Sequence, residues 1–499
     1  MTMRRFSGRG AFHSVPNVEC GNKVTLWKAS LPDLVGALPR YACLCASVVF
    51  LIFSVFHAAG VELTIDSSKP GEEIDLTRYA LGQGGLSDKP MFESHAEQIA
   101  QLHPQTIRIF VQEFFDLNPK RGQYHWDTLD KVIETILATK AKPILCLCFK
   151  PKTLFPKIDQ SIVHPTDYEQ WEELIFQLVS HCNTDKRFGI EYWEVANEPD
   201  IGEDGGCPYL FQAPDYVTYY SHTVSAVLRA DPKAKVGGPA LAGYISDIGT
   251  ALIEHCGKGQ TPLHFFSWHV YHSDPAYFRK SIRDVKGKLG KFPKLKETET
   301  MITEWNMSLD QPALGPGFQP AFVLETTLGF LEEGLSRGAY YHIRDSFVDE
   351  RQFATFMSPQ GAAFVARWWN DTPQYDGLYD NQGRVRPAYY AFKLLSLIKG
   401  QQLAISGVTS EVKGFAARNG GQINMIAWNF PPGGPGDSRE VTLRLPANKS
   451  GQFRITRLNP ASPFIQLELE RQGNIIELKD KPIRFALRPY EIRWVAINE

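Results

Sequence analysis

Between residues 79 and 345 the chain alternates short strand patterns with amphipathic helical ones eight times, a rhythm that few folds accept. The strand patterns fall near 79–85, 106–111, 143–149, 191–197, 235–240, 265–271, 301–306 and 338–345. Between them the apolar residues take helical spacing, as with Leu129, Val132, Ile133 and Ile136, and again with Trp171, Leu174, Ile175 and Leu178. Eight such units predict an α/β fold, the (β/α)8 or TIM barrel, whose working groups sit at the carboxyl ends of the strands. After Leu397 the texture changes to short alternating runs at 422–428, 440–445 and 483–497, broken by Pro, Gly and Asn. That pattern predicts a C-terminal all-β sandwich domain. The expected layout is a tail and leader over 1–60 and a strand in 61–74 that pairs with the β domain. A barrel over 75–398 and the sandwich over 399–499 follow.

With 43% hydrophobic and 22% charged residues, the composition argues against disorder and against a polytopic membrane protein. Formal charge is −2, and six basic against two acidic side chains in the first 60 residues leave the remainder at −6. No basic stripe remains to neutralise phosphates, so nucleic acid is not an expected partner. The stretch 42–56 is apolar except for Ser47 and Ser54, with Arg40 ahead of it and Ala58-Ala59-Gly60 behind. Two readings stay open: a secretory signal cleaved after Gly60, or an uncleaved N-terminal membrane anchor within 41–60. Both carry residues 61–499 across a membrane, to a periplasmic or extracellular location. Five cysteines lie beyond the leader. Cys146 and Cys148 share one strand face and read as buried thiols, while a disulfide involving Cys207 stays open.

Two strings at strand ends carry the chemistry: Trp-Glu-Val-Ala-Asn-Glu-Pro-Asp at 193–200 and Ile-Thr-Glu-Trp-Asn at 302–306. They place Glu198 after strand four and Glu304 after strand seven, 106 residues apart and facing one barrel mouth. Double displacement at a glycosidic bond needs such a pair, one acid to protonate the leaving oxygen and one carboxylate to attack the sugar carbon. Glu198 is expected as acid/base, because an anionic Glu304 nearby raises its pKa, and Glu304 as nucleophile. Asn197 is suited to hold the sugar 2-hydroxyl. Two carboxylates carry the whole reaction, so neither metal nor cofactor is expected. The acidic loop 200–207 lacks the spacing of a calcium loop and reads as a wall of the leaving-group subsites.

Ala-Asn-Glu-Pro at 196–199 and Thr-Glu-Trp-Asn at 303–306 resemble the acid/base and nucleophile motifs of the retaining (β/α)8 glycosidases. Together with Val-Gly-Gly-Pro-Ala at 236–240, Ser-Trp-His-Val-Tyr at 267–271 and Arg-Pro-Ala-Tyr-Tyr-Ala-Phe at 386–392, they resemble glycoside hydrolase family 39. That family includes β-xylosidases and α-L-iduronidases. The resemblance implies a carbohydrate substrate, Arg108 near the nucleophile, Tyr271 hydrogen-bonded to it, and His269 on the sugar. Trp305, Asn306, Tyr341 and Arg344 join them as expected substrate contacts. Phe110 stands where family xylosidases carry histidine, and the eighth strand reads Tyr340-Tyr341-His342-Ile343-Arg344-Asp345 where they carry tryptophan. Arg344 suits an acidic sugar or an ion pair with Asp345, and the ion pair is the reading taken. Endo action or transglycosylation on exopolysaccharide, and a non-catalytic sugar-binding role, are the alternatives to a xylosidase-like hydrolase.

Overall fold

The computed structural model describes residues 60–444 and 482–498 and the strands 452–458 and 476–477, apart from positions 70, 86, 88, 310, 312–313, 372–375 and 435. The apolar run 42–56 lies outside them. No helix among the described residues is long and apolar enough to cross a membrane.

Eight parallel strands close into a barrel: β1 (Tyr79–Gly82), β2 (Thr106–Val111), β3 (Lys142–Leu147), β4 (Tyr192–Val195), β5 (Lys235–Leu241), β6 (Phe265–Tyr271), β7 (Glu299–Asn306) and β8 (Arg337–Tyr341). β8 pairs back onto β1, so no edge is left open. Outer helices bury the apolar stripe that their spacing announces. Asp127–Ala138 turns Leu129, Val132, Ile133 and Ile136 inward. Asp167 caps Tyr168–Ser180 by accepting the N–H groups of Glu169 and Gln170, which fixes where that helix starts. Inside the barrel, Ile144, Tyr192, Phe265 and Met301 form an apolar layer. Strand parity then places Arg108, Cys146, Glu194, Ser267 and His269 on the same inner face, nearer the carboxyl ends.

Several strands are shorter than the sequence pattern suggests. β1 stops at Gly82, β3 at Leu147, β4 at Val195 and β8 at Tyr341. Beyond these points the backbone leaves the ladder and turns into the loops that form the mouth. Gly84 shows why at one of them. Its φ is +134° and a Cβ there would meet Phe110 Cδ2 at 2.7 Å, so only glycine allows the close approach. The run 483–497 is likewise two strands, Ile483–Leu487 and Ile492–Asn498, separated by a turn with Tyr490 at φ 61°.

The second domain is a sandwich of two sheets. Val61–Asp66 sits in the four-stranded sheet, parallel to Arg439–Arg444 and antiparallel to Ala404–Ser406. Glu73–Asp75 extends the seven-stranded sheet by pairing with Lys399–Gln402. Leu63, Ile65, Val412, Met425, Leu443 and Val495 belong to the core between the sheets. The sandwich meets the barrel at helix Gly315–Glu332, where Phe318 packs on Phe430 and Tyr490. Buried Glu325 anchors this contact by pairing with Lys413 and accepting Trp428 Nε1–H at 3.0 Å. Glu325→Ala strands an ammonium and an indole N–H at the interface and should destabilise the protein by about 2 kcal/mol, read as a lower thermal midpoint.

Candidate active site

The mouth is built by strand ends that break regularity in definite places. After β4, Ala196 and Glu198 both adopt left-handed backbone, with φ 68° and 43°. Each costs about 1–2 kcal/mol for a residue with a Cβ. Neighbouring strands impose the bend, since Ala196 N–H donates to Leu147 O at 3.1 Å and Glu198 N–H to Ala240 O at 2.8 Å. Strain held in this way clusters at active sites. In β7 the pairing with β6 skips Thr303: Trp268 faces Ile302 and His269 faces Glu304. This bulge reverses the alternation and re-aims Glu304 beside the inward-facing His269.

Arg108, 1% exposed, is the hub. Its Nε donates to Glu194 Oε2 at 2.5 Å, Nη1 to Glu304 Oε1 at 2.8 Å, and Nη2 to Asn197 Oδ1 at 2.8 Å and Cys146 Sγ at 3.3 Å. The Phe110 ring lies 4.7 Å from the guanidinium carbon. A buried guanidinium needs anions, and here two carboxylates hold it through different nitrogens. Burial alone would depress its pKa, but Glu194, the Cys146 thiol and Glu304 hold it well above the ordinary value. Glu304 takes its second hydrogen bond from Tyr271 OH at 2.7 Å. Burial, then the charge of Glu304, keeps that hydroxyl well above the usual phenol range, so it remains a donor.

Glu198 differs from Glu304. Its Oε1 meets His269 Nδ1 at 2.8 Å, and the same nitrogen is 3.6 Å from Glu304 Oε2. Burial, followed by the field of Arg108, drives the His269 pKa well below its usual value, so the ring is neutral. Glu198 therefore touches no cation, while burial, Glu304 and Asp200 all push its carboxyl well above the ordinary range. Burial raises Glu304 as well, but Arg108 and Tyr271 pull against it. The pair is polarised: the proton belongs on Glu198 and the charge on Glu304. One oxygen of each carboxylate and a ring nitrogen of His269 all lie within 4.8 Å of one another.

Six of the residues singled out in the sequence thus converge: Arg108, Asn197, Glu198, His269, Tyr271 and Glu304. Tyr341 lies beside them, its OH donating to Gly84 O at 2.9 Å. After burial, the charges of both glutamates add to the raised pKa of its hydroxyl. Three others do not join. Trp305 points outward into the aromatic core against Phe278, Phe330 and Tyr340. Asn306 is spent on backbone, donating to Tyr341 O at 2.8 Å and accepting Met307 N–H at 2.8 Å. Arg344 donates to Met91 O and Asn381 O at the rim. It forms no ion pair with Asp345, contrary to the sequence reading, because successive side chains of the extended segment point opposite ways. Asp345 turns inward to His342 at 2.9 Å and Arg386 at 2.5 Å.

Glu194 is the residue that the sequence reading missed. A charge at an inward position of a short, otherwise apolar strand was the signal available. Two carboxylates of the acidic loop after Glu198 bind neighbouring segments of the fold. Asp200 accepts Ala242 N–H at 3.0 Å, and Glu203 accepts both Ser358 N–H at 2.7 Å and Ser358 Oγ–H at 2.5 Å, at the start of helix Pro359–Asp371. Gly205 in that loop lies against Glu198 and leaves no room for a Cβ.

A closed parallel barrel with this mouth defines a class, the glycosidases that hydrolyse O-glycosyl bonds. The model of glycosyl hydrolases family 39 matches residues 105–430, and the chain belongs to that family. It is 26% identical over 409 residues to a β-xylosidase of Caldicellulosiruptor saccharolyticus, covering 74% of this chain and 78% of that one. Against a β-xylosidase of Geobacillus stearothermophilus the identity is 25% over 416 residues, covering 75% and 72%. Among solved structures, a family 39 enzyme from Xanthomonas axonopodis pv. citri superposes with a TM-score of 0.72 at 18% identity, over 90% of this chain and 99% of that one.

Proposed function

We propose that the protein is a retaining, β-xylosidase-like hydrolase working by double displacement, with Glu304 as nucleophile and Glu198 as acid/base. The observation that carries this reading is the carboxylate separation, an oxygen of each within 4.8 Å. Retaining glycosidases hold their carboxyl groups about 5 Å apart, whereas inverting ones leave roughly 6.5–9.5 Å for a water molecule. In the first step Glu304 attacks the anomeric carbon as the bond to the leaving oxygen breaks, and Glu198 hands that oxygen its proton. Esterification removes the negative charge of Glu304, so the carboxyl of Glu198 becomes more acidic and is left as a carboxylate. It then takes a proton from water, which attacks the same carbon and frees Glu304. Arg108 occupies the Asn197 amide oxygen, leaving the amide N–H₂ to donate to the sugar 2-hydroxyl.

The two β-xylosidases similar over most of the chain support the choice of sugar. A panel of aryl glycosides tests it. The aryl β-xyloside should be turned over with the highest kcat/KM, ahead of arabinosides, glucosides and uronides. A uronide or glucoside preferred over the xyloside would overturn the sugar assignment and leave the two-glutamate mechanism standing.

A further inference from the structure

We propose that Cys148 and Cys207 form a cystine that staples the loop behind Glu198 to the end of β3. Their sulfurs lie 3.4 Å apart, both side chains are buried, and both are thiols in this structure. A disulfide has an S–S length of about 2.04 Å, so closure needs a movement of roughly 1.4 Å. The two backbones already run alongside each other. Tyr209 OH donates to Phe149 O at 2.7 Å, and Lys150 Nζ donates to Pro208 O at 3.3 Å, so the residues next to each cysteine are tied across the same gap. Cys207 is also held within its own loop, its N–H donating to Gly202 O at 3.1 Å.

The other thiols are placed differently. Cys146 Sγ donates to Ala196 O at 3.2 Å and accepts from Arg108, which keeps it on the inner face of the barrel. Cys182 lies in the turn His181–Asp185 and Cys256 in the outer helix Asp247–Lys258. Cys148 with Cys207 is therefore the pair that the fold offers for cross-linking among the described residues.

The step requires a two-electron oxidant, and a low-molecular-mass disulfide such as oxidised glutathione supplies it. One cysteine loses its proton, and its thiolate attacks the glutathione disulfide, forming a mixed disulfide and releasing one glutathione thiolate. The thiolate of the second cysteine then attacks the protein sulfur of the mixed disulfide, forming Cys148–Cys207 and releasing the second glutathione. The two protons leave with the two glutathione thiols. Because both thiols are buried, they meet the oxidant when the loop opens or while the chain folds. The cross-link spans 59 positions, including helix Tyr168–Ser180, β4 and Glu198 itself. Closing so long a loop should raise thermal stability. It also fixes the loop carrying Gly205, which walls the Glu198 side chain.

The test uses the full chain, incubated and separately refolded in buffers with excess oxidised glutathione, then denatured in alkylating reagent and mapped by peptide mass spectrometry. The expected result is one linked peptide pair containing Cys148 and Cys207. It should come with a thermal midpoint raised by several degrees, both reversed by dithiothreitol. Cys207→Ser should abolish the linked pair and melt like the reduced wild type. Recovery of both cysteines as alkylated thiols after refolding, or linkage of either to Cys146, would overturn the proposal. Should Cys207→Ser fail to fold, the wild-type peptide map decides alone.

Discussion

Glu304→Ala should lower kcat for an aryl β-xyloside by roughly 10⁴- to 10⁶-fold, the scale seen when a covalent nucleophile is removed. Sodium azide should restore part of that rate. The small anion fits the space that the carboxylate vacated and attacks the anomeric carbon from the same face, so the product is a glycosyl azide of inverted configuration. Arg108 and Tyr271, left with two unused donors, would help to hold it. Product analysis by NMR reads the outcome. An alanine variant that retains wild-type activity removes Glu304 from the mechanism.

Glu198→Ala should act differently, and the leaving group exposes the difference. Substrates with poor leaving groups need protonation and should lose about 10²- to 10⁴-fold, the usual range for a general acid. Activated dinitrophenyl glycosides need little protonation and should still form the ester on Glu304. Its hydrolysis would then be slow for want of a base, and azide should release a glycosyl azide of retained configuration. The pH profile gives the sign. Burial, Glu304 and Asp200 raise the pKa of Glu198, so the native enzyme holds the needed proton below that pKa and loses it as pH rises through it. The alkaline limb of kcat/KM should therefore be present in the wild type and absent in Glu198→Ala. A variant that keeps this limb would assign it to another group.

Much of this organisation was legible in the sequence. The eight-fold alternation predicts the barrel, and Ala-Asn-Glu-Pro and Thr-Glu-Trp-Asn mark the two carboxylates, because strand period and turn residues are local properties. What could not be read depends on contacts between strands. The bulge at Thr303 reverses the alternation in β7, so Glu304 turns in while Trp305 turns out to the aromatic core. No feature of residues 301–306 announces that shift. Asn306 and Arg344 bear polar groups suited to sugars, but backbone carbonyls brought close by folding take their donors. The partner of Asp345 was misread for the same reason, since Arg386 lies 41 positions further along the chain. Glu194 was visible as a charge in an apolar strand, yet its role needs Arg108, which comes from a different strand.

The most direct test follows the stereochemistry of a single turnover. Wild-type enzyme acting on an aryl β-xyloside is monitored by proton NMR from the first seconds, before the released sugar equilibrates between anomers. Two inversions at one carbon predict that the β-hemiacetal appears first and the α form only later, through mutarotation. An α product accumulating at the outset would mean a single displacement by water, and would contradict the assignment of Glu304 as nucleophile.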